Sequence, residues 1–172
     1  PAGYPPTESG VELRILKRLF TSEEAELATQ LTMMPEPAEA VAARTGREAA
    51  ALDRQLDAMS RKGLIFRSTK GGRNHCMAAQ FVIGIWEYHV NDLDPDLIRE
   101  VNEYLPVLMR KGWMARETKQ LRVVPVSQSI AAGMRTMPYE VAEEIINRQS
   151  KIVVSPCICR REHQIKGGGC NK

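Results

Sequence analysis

The stretch from Arg47 to Ala78 reads REAAALDRQLDAMSRKGLIFRSTKGGRNHCMA, and it determines the fold prediction. Its first half carries apolar residues at helical spacing that would face a hydrophobic core: Leu52, Leu56 and Met59. This pattern predicts a helix over residues 47–62. Gly63 follows directly and can adopt the left-handed conformation that commonly closes a helix.

The second half of the same stretch predicts a β-hairpin. Residues 64–67 (LIFR) suit a strand, residues 70–73 (KGGR) suit a tight glycine turn, and residues 75–78 (HCMA) suit the returning strand. Helices followed by such a hairpin are the ground plan of a winged helix-turn-helix. The prediction is therefore a mainly α fold with a small β component (α+β), with a winged-helix domain in residues 11–78.

Three further segments upstream complete this prediction. A first helix over residues 11–20 has an apolar stripe: Leu13, Leu16, Leu19 and Phe20. A second helix begins after Thr21, which is spaced from Glu24 as in a capping box, and runs to about residue 31. A third segment, residues 37–45, has Pro37 in its first turn and ends near Gly46.

Six basic residues of the predicted helix and hairpin are candidates for DNA contact: Arg47, Arg54, Arg61, Arg67, Lys70 and Arg73. A basic stripe of this kind can face phosphates. However, Asp53 and Asp57 flank it, and residues 11–78 hold eleven Lys or Arg against nine Asp or Glu. Two interpretations stay open, namely DNA binding and a winged helix used for protein contacts or dimerisation.

Three of the four cysteines lie near the C-terminus, at Cys157, Cys159 and Cys170. An extended C-x-C pair does not readily form a disulfide, because the bridge needs a wider Cα separation, but both thiolates can bind one metal centre. Zinc sites usually pair their thiols as C-x2–4-C. The spacing therefore favours a 4Fe–4S cluster, with zinc and three free thiols as the alternatives.

The residues around these cysteines suit an anionic cluster. Arg160, Arg161 and Lys166 supply positive charge. The glycines at 167–169 have no side chains, so their backbone N–H groups can approach cluster sulfurs.

A 4Fe–4S cluster normally takes four ligands, and only three of the cysteines lie together. Cys76 is distant in sequence and is predicted to be a buried thiol, whereas His163 could act as a nitrogen ligand. We expect instead that the chain is a fragment of a longer protein and that a fourth cysteine follows Lys172.

Residues 79–150 are predicted to be a helical connector between the winged helix and a Cys-rich segment, residues 151–172. Residues 1–10 are predicted to be a flexible tail, because they are rich in Pro and Gly. Residues 79–90 are apolar, and their length favours a helix over a buried strand. A later helix should begin at Asp94-Pro95, bend at Pro106 and end near Gly112.

The end of the connector carries three further predictions. Residues 120–127 should be extended, with Pro125 confining them to a sheet edge. The next helix should be capped by Thr136 and have an apolar side formed by Val141, Ala142, Ile145 and Ile146. Residues 151–154 (KIVV) should form a short strand that leads to Cys157.

Composition and residue patterns argue against several other classes of function. The 172 residues carry a net charge of +3, which is too small to indicate nucleic-acid binding by itself. No apolar run has membrane-spanning length, so no membrane association is predicted. Four cysteines with metal-like spacing favour a reducing cytoplasmic location. No Ser/His/Asp arrangement, phosphate-binding loop or pair of catalytic carboxylates is visible.

The run VSPCICRRE from Val154, followed by a Gly-Gly-Cys ending at Cys170, resembles a family of iron–sulfur proteins found in anaerobic bacteria and archaea. The segments at 81–87 (FVIGIWE) and 138–140 (PYE) are also similar to that family. There, a winged-helix segment and an α-helical connector precede a 4Fe–4S ferredoxin-type domain. The resemblance implies that Cys157, Cys159 and Cys170 are cluster ligands and that a further ligand lies beyond the chain.

Two functions are predicted from these observations. The first is an iron–sulfur electron-transfer protein whose winged helix docks a redox partner protein or forms a homodimer. The second is a redox- or metal-sensing transcriptional regulator that binds DNA. A third, metal-free interpretation is an interaction module. An electron carrier or oxidoreductase subunit is favoured over an enzyme with its own catalytic residues.

Overall fold

The computed structural model describes residues 4–118 and 138–168. The described chain is mainly helical with a small three-stranded antiparallel sheet, which confirms the α+β prediction. The helices are α1 (Val11–Leu19), α2 (Ser22–Thr29), α3 (Ala38–Thr45), α4 (Ala49–Arg61), α5 (Trp86–Tyr88), α6 (Pro95–Val107), α7 (Tyr139–Asn147) and α8 (Ile158–Ile165). The strands are β1 (Glu36–Pro37), β2 (Ile65–Lys70) and β3 (Arg73–Ala78).

Local sequence signals fix the ends of α2 and α4. The Thr21 hydroxyl accepts the Glu24 backbone N–H, and the Glu24 carboxylate accepts the Thr21 N–H, which confirms the predicted capping box. The Glu48 carboxylate caps α4 by accepting the N–H groups of Ala50 and Ala51. Gly63 follows α4 with a positive φ of 78°, as predicted for a residue that closes a helix.

The sheet has the order β1-β3-β2. β2 and β3 form the predicted hairpin, in which Ile65 opposes Ala78 and Lys70 opposes Arg73. The turn residues Gly71 and Gly72 both have positive φ, which requires glycine or a similarly permissive residue. The prediction of Pro37 inside a helix is wrong by one position. Its extended backbone pairs with His75 in β1, and α3 begins at the next residue.

Two apolar clusters form the interior. One joins α2, α3, α4 and the sheet, and its buried members include Leu27, Val41, Leu56, Ile65 and Cys76. The predicted core face of α4 is confirmed, because Leu52, Leu56 and Met59 are all buried.

The second cluster joins α1, α6 and the segment between β3 and α6. Its buried members include Val11, Ile15, Trp86, Val101 and Ile158. Helix α1 therefore shares its buried face with α6, across the predicted domain boundary at residue 78. The predicted stripe of α1 is wrong at Leu13, which is exposed, because the helix turns Val11 and Ile15 towards α6 instead.

The prediction of a helix over residues 79–90 is wrong for most of that segment. The backbone is non-helical at Val82, Ile83 and Gly84, and only Trp86–Tyr88 continues as α5. Phe81 and Ile85 are both buried in the second cluster, whereas Ile83 is exposed. A Glu87 carboxylate oxygen accepts the Gly84 N–H at 2.6 Å and closes the turn.

Helix α6 begins as predicted. Asp94 caps it by accepting the N–H groups of Asp96 and Leu97 at 2.9 Å, and Pro95 occupies its first position. Pro106 lies inside the helix, and the chain then continues in wider π-helical turns from Leu108 to Trp113. Pro106 has no backbone N–H, so one helical hydrogen bond is missing at this position.

Segments near the two ends differ in how they compare with their predictions. Residues 151–154 form no strand, because they are exposed and have no pairing partner among the described residues; Val154 is 88% exposed. Helix α7 forms, but its apolar residues Val141, Ile145 and Ile146 are exposed. Residues 4–10 contact the rest of the chain, since Ser9 donates to Glu103. The predictions for residues 120–127 and Thr136 lie outside the described residues.

Candidate metal centre

Cys157 and Cys159 lie at the N-terminal end of α8. Cys157 is the extended residue that precedes the helix, and Cys159 is in the first turn. Both side chains are exposed free thiols. Ile158, between them, is only 9% exposed and belongs to the cluster formed with α1 and α6. The buried isoleucine therefore anchors the pair and leaves both sulfurs on the surface.

Helix α8 is held against α6 by apolar and polar contacts. Ile158 and the half-buried Ile165, seven residues apart, both pack against the same cluster. Asn102 of α6 donates its side-chain N–H to Glu162 at 2.8 Å, and Lys166 donates to the same carboxylate oxygen at 2.6 Å. These contacts fix the orientation of the helix that carries the two cysteines.

The two thiols differ in acidity. The pKa of Cys157 is lowered mainly by the backbone N–H of Arg160, with the Cys159 N–H and the Arg160 charge acting in the same direction. The pKa of Cys159 is raised mainly by partial loss of hydration at its sulfur, although the side chain is exposed, and the negative charges of Cys157, Glu162 and Glu87 also raise it. The two shifts have opposite directions, which makes Cys157 the more acidic of the two thiols.

The third predicted ligand, Cys170, lies outside the described residues. The described chain turns back after α8, where Gly167 has a φ of 78° and the Gly168 N–H donates to the His163 carbonyl at 2.8 Å. His163, predicted as a substitute ligand, lies on α8 beside this turn. Cys76 is fully buried in β3, and burial raises the pKa of its thiol. The prediction that it is a buried thiol is confirmed.

The residues present fit a thiolate-ligated metal group. Two exposed sulfurs that share one helix end can bind one soft metal centre, and the exposed Arg160 and Arg161 can offset negative charge there. Within residues 4–118 and 138–168, no three His, Cys, Asp or Glu side chains form a metal-binding group. The proposed set includes Cys170, which belongs to neither range.

The six basic residues predicted to contact DNA divide into two groups. Three are engaged within the protein. Arg47 donates to Gln55 at 3.0 Å, Arg61 pairs with Asp57 at 2.8 Å, and Arg67 pairs with both Asp53 and Asp57. Arg67 is also the least accessible, with 14% of its side chain exposed. It ties β2 to α4 and does not extend into solvent.

The other three basic residues are on the surface. Arg54 is exposed on α4, while Lys70 and Arg73 are exposed at the two ends of the hairpin turn. Asp53 and Asp57 lie on the same side of α4 as the arginines they bind, so that side is nearly balanced in charge.

Sequence reasoning missed the residues that support the cysteines. The spacing of seven residues between Ile158 and Ile165 is a sequence signal for a buried helix face, although no helix is predicted from the sequence in this Cys-rich segment. Glu87 and Asn102 reach the site only through the folding of distant segments, so no local pattern marks them.

No known protein family, curated protein or solved structure matches this chain. Within the described residues, no helix is long and apolar enough to cross a membrane.

Proposed function

We propose that this protein binds a 4Fe–4S cluster through Cys157, Cys159 and Cys170 and transfers electrons to a redox partner protein. The observation that supports this most is the pair of free thiols on either side of buried Ile158. The backbone N–H of Arg160 lowers the pKa of Cys157, which acts in the same direction. Thiolates are the ligands that iron–sulfur clusters take. The resemblance of the segment around Cys157 to iron–sulfur proteins agrees with this proposal.

The chain's own residues have defined parts in this function. Cys157, Cys159 and Cys170 would hold the cluster, which supplies one-electron redox chemistry when bound. Arg160 and Arg161 place positive charge beside the sulfurs. Ile158 and the Asn102–Glu162 hydrogen bond hold the helix end in place. The cysteine usage favours a reducing compartment such as the cytoplasm.

We further propose that residues 11–78 are a winged helix that docks a protein partner or a second copy of the chain. The order α2-β1-α3-α4-β2-β3 with sheet order β1-β3-β2 supports this assignment, with the β2–β3 hairpin as the wing. The ion pairs of Arg61 and Arg67 with Asp53 and Asp57 leave α4 with little net charge. Such a surface favours a protein partner over nucleic acid.

The test is the iron and acid-labile sulfide content of the full-length gene product purified without oxygen. We expect both elements in the wild-type protein and a large loss of both in Cys157→Ser and Cys159→Ser. Cys76→Ala is the matched control and should retain its iron, because Cys76 lies in the other apolar cluster. Colourless wild-type protein without iron would contradict the proposal, and stoichiometric zinc without sulfide would identify a zinc site instead.

The alternative function is a redox- or metal-sensing DNA-binding regulator. The exposed positions of Arg54, Lys70 and Arg73 favour it. A regulator should bind DNA with a steep salt dependence, and the Lys70→Ala/Arg73→Ala double variant should reduce that slope by about two. The matched control, Lys17→Ala/Arg18→Ala on α1, should leave the slope unchanged. A protein without measurable DNA affinity at low salt would exclude this alternative.

A further inference from the structure

Exposed apolar side chains are concentrated in residues 139–154. Of the large apolar side chains that are exposed among the described residues, seven lie in this segment and six in all the rest. Helix α7 has no buried residue, and Ile145 and Ile146 on its apolar side are 44% and 54% exposed. Val153 and Val154, which follow it, are 82% and 88% exposed. Exposed apolar surface of this extent marks an interaction site.

The backbone of residues 151–156 also lacks partners. It forms no backbone–backbone hydrogen bond with another described residue. Yet Ile152, Val153 and Val154 are β-branched and suit a strand. Unpaired backbone groups on a strand-forming segment favour pairing with a second chain. This segment therefore has what a strand requires except a neighbouring strand.

Charges of opposite sign lie before and after residues 151–154. Glu140 and Glu143 are exposed on α7, before them. Arg160 and Arg161 are exposed in the first turn of α8, after them. None of these four side chains forms an ion pair within the described residues. The segment is thus acidic towards its N-terminal end and basic towards its C-terminal end.

Antiparallel pairing of residues 151–154 with the same residues of a second copy would bring these opposite charges together. In an antiparallel pair, the residues that precede one strand lie beside those that follow the other. Here α7 precedes the strand and α8 follows it, so the glutamates of each copy approach the arginines of the other. By the usual rise per residue, Glu143 and Arg160 both lie at most about 15–20 Å along the chain from residues 151–154. A two-fold dimer makes such a contact twice.

We propose that residues 139–161 form a self-complementary surface through which two copies of this chain associate, with residues 151–154 paired antiparallel across the two-fold axis. A standard interface takes roughly 20–30 residues from each partner, which is about the number that this segment supplies. The surface uses none of residues 11–78 and needs no bound cluster. The inference therefore goes beyond the proposed electron-transfer function and does not depend on it.

An anionic membrane is the other class of partner that an apolar and basic surface attracts. Glu140 and Glu143 argue against it, because both would be repelled by anionic lipid while the arginines were attracted. A second copy satisfies both signs of charge. We expect a reversible dimer with a dissociation constant of about 1–50 μM, typical of a small interface. Proteolysis and other measurements on the single chain therefore belong well below that concentration.

The first experiment measures the mass of the 172-residue chain by sedimentation equilibrium, in a thiol reductant that prevents intermolecular disulfides. We expect the mass to rise from monomer to dimer as the concentration increases. Val153→Lys places a charge at the centre of the interface and should weaken association at least tenfold. Ile83→Lys is the matched control, since Ile83 is also exposed (65%) but lies outside the segment, and it should associate as the wild type does. A wild type that stays monomeric would overturn the proposal.

The second experiment exchanges the charges. Glu140→Lys/Glu143→Lys makes both ends of the segment basic, and Arg160→Glu/Arg161→Glu makes both ends acidic. Each variant alone should dimerise at least tenfold more weakly than the wild type. An equimolar mixture of the two should restore dimers to nearly the wild-type affinity, because opposite charges meet at both contacts of the heterodimer. Circular dichroism establishes that each variant is folded.

Two results of this exchange would overturn the proposal. Folded variants that stay monomeric when mixed would show that the charges do not meet across an interface. Variants that each dimerise like the wild type would place the interface elsewhere. Vesicles of phosphatidylglycerol test the other partner class, and their capture of a monomeric wild-type chain would assign the surface to a membrane instead. Mass is the readout throughout, so the result is separate from the iron and sulfide content that tests the cluster.

Discussion

At the scale of single residues, Glu36 joins three parts of the chain. Its carboxylate accepts two hydrogen bonds from Arg44 on α3, at 2.8 and 3.0 Å, and one from the Thr32 hydroxyl at 2.9 Å. Arg44 also donates to the Gln30 carbonyl at the end of α2. These bonds connect α2, β1 and α3 beside the short strand that starts the sheet.

The acidity of Glu36 leads to a prediction about stability and pH. The Arg44 hydrogen bonds, helped by Thr32, lower the pKa of Glu36 from 4.5 to about 2. The stabilisation is therefore complete above pH 4.5 and is lost as the pH falls towards 2. Urea unfolding across this range should show a larger loss of stability in the wild type than in Glu36→Gln.

The control for this measurement is Glu39→Gln, which changes an exposed glutamate in the first turn of α3. It should keep the wild-type pH profile. If Glu36→Gln also keeps that profile, the Glu36–Arg44 contact contributes nothing to acid sensitivity, as is common for solvent-screened pairs.

At the scale of elements, the junction between α4 and the turn before α6 depends on Gly63. Its φ is 78°, and a Cβ atom there would lie 2.5 Å from Tyr88 Cβ. Gly63→Ala should therefore destabilise the fold by roughly 2–4 kcal/mol, through backbone strain and displacement of Tyr88. Denaturant unfolding measures this loss.

Gly71 supplies the comparison for that variant. It also has positive φ, but a Cβ would meet nothing within 4 Å. Gly71→Ala should cost only about 1–2 kcal/mol, from backbone strain alone. Similar losses in the two variants would mean that the contact with Tyr88 is easily relieved.

The packing of α8 against α6 can be tested without any bound metal. Ile158→Ala removes the buried side chain between the two cysteines and should loosen the helix from α6. Trypsin should then cleave after Arg160 and Arg161 several times faster, as followed by mass spectrometry. Ile152→Ala makes the same change at an exposed position and should leave the rates unaltered. Unchanged cleavage in Ile158→Ala would show that the hydrogen bond from Asn102 to Glu162 is sufficient to hold α8 against α6.

The elements that periodicity specifies were predictable, and those that depend on distant contacts were not. Helix α4 and the hairpin follow from the spacing of Leu52, Leu56 and Met59 and from the Gly71-Gly72 turn. Strand β1 has two residues, too few to show a period. In residues 81–85, apolar content favoured a helix, and the spacing of buried Phe81 and Ile85 would fit one, so no local pattern marks the non-helical backbone at 82–84.

The same distinction applies to the candidate metal centre, where some residues have a local sequence signal and others are placed only by distant contacts. Cys157 and Cys159 can be predicted from the sequence as candidate ligands, because two thiols at that spacing can bind one soft metal centre. The predicted strand before them failed because an apolar run such as residues 152–154 forms a strand only beside a partner strand. The contact of Glu162 with Asn102 joins segments sixty residues apart, so it is visible only in the folded chain.

At the scale of the whole molecule, the two apolar clusters form separate centres of stability. Val11 and Val41 are both fully buried, one in each cluster. Val11→Ala and Val41→Ala should each lower the free energy of unfolding by about 1–3 kcal/mol. Hydrogen exchange should rise first in α1 and α6 for Val11→Ala, and in α2–α4 for Val41→Ala. A uniform rise in both variants would mean that the chain opens as one cooperative unit.

Trp86 lies among Phe81, Ile158 and Val101 in the cluster that anchors α8. Trp86 is 6% exposed, and separation of α8 would remove Ile158 from the cluster that they share, so we expect the emission of Trp86 to shift to longer wavelength when that helix separates. The fold thereby contains an intrinsic fluorophore next to the cysteine helix. Changes at the thiols can be followed optically in the unlabelled protein, in real time and at low concentration.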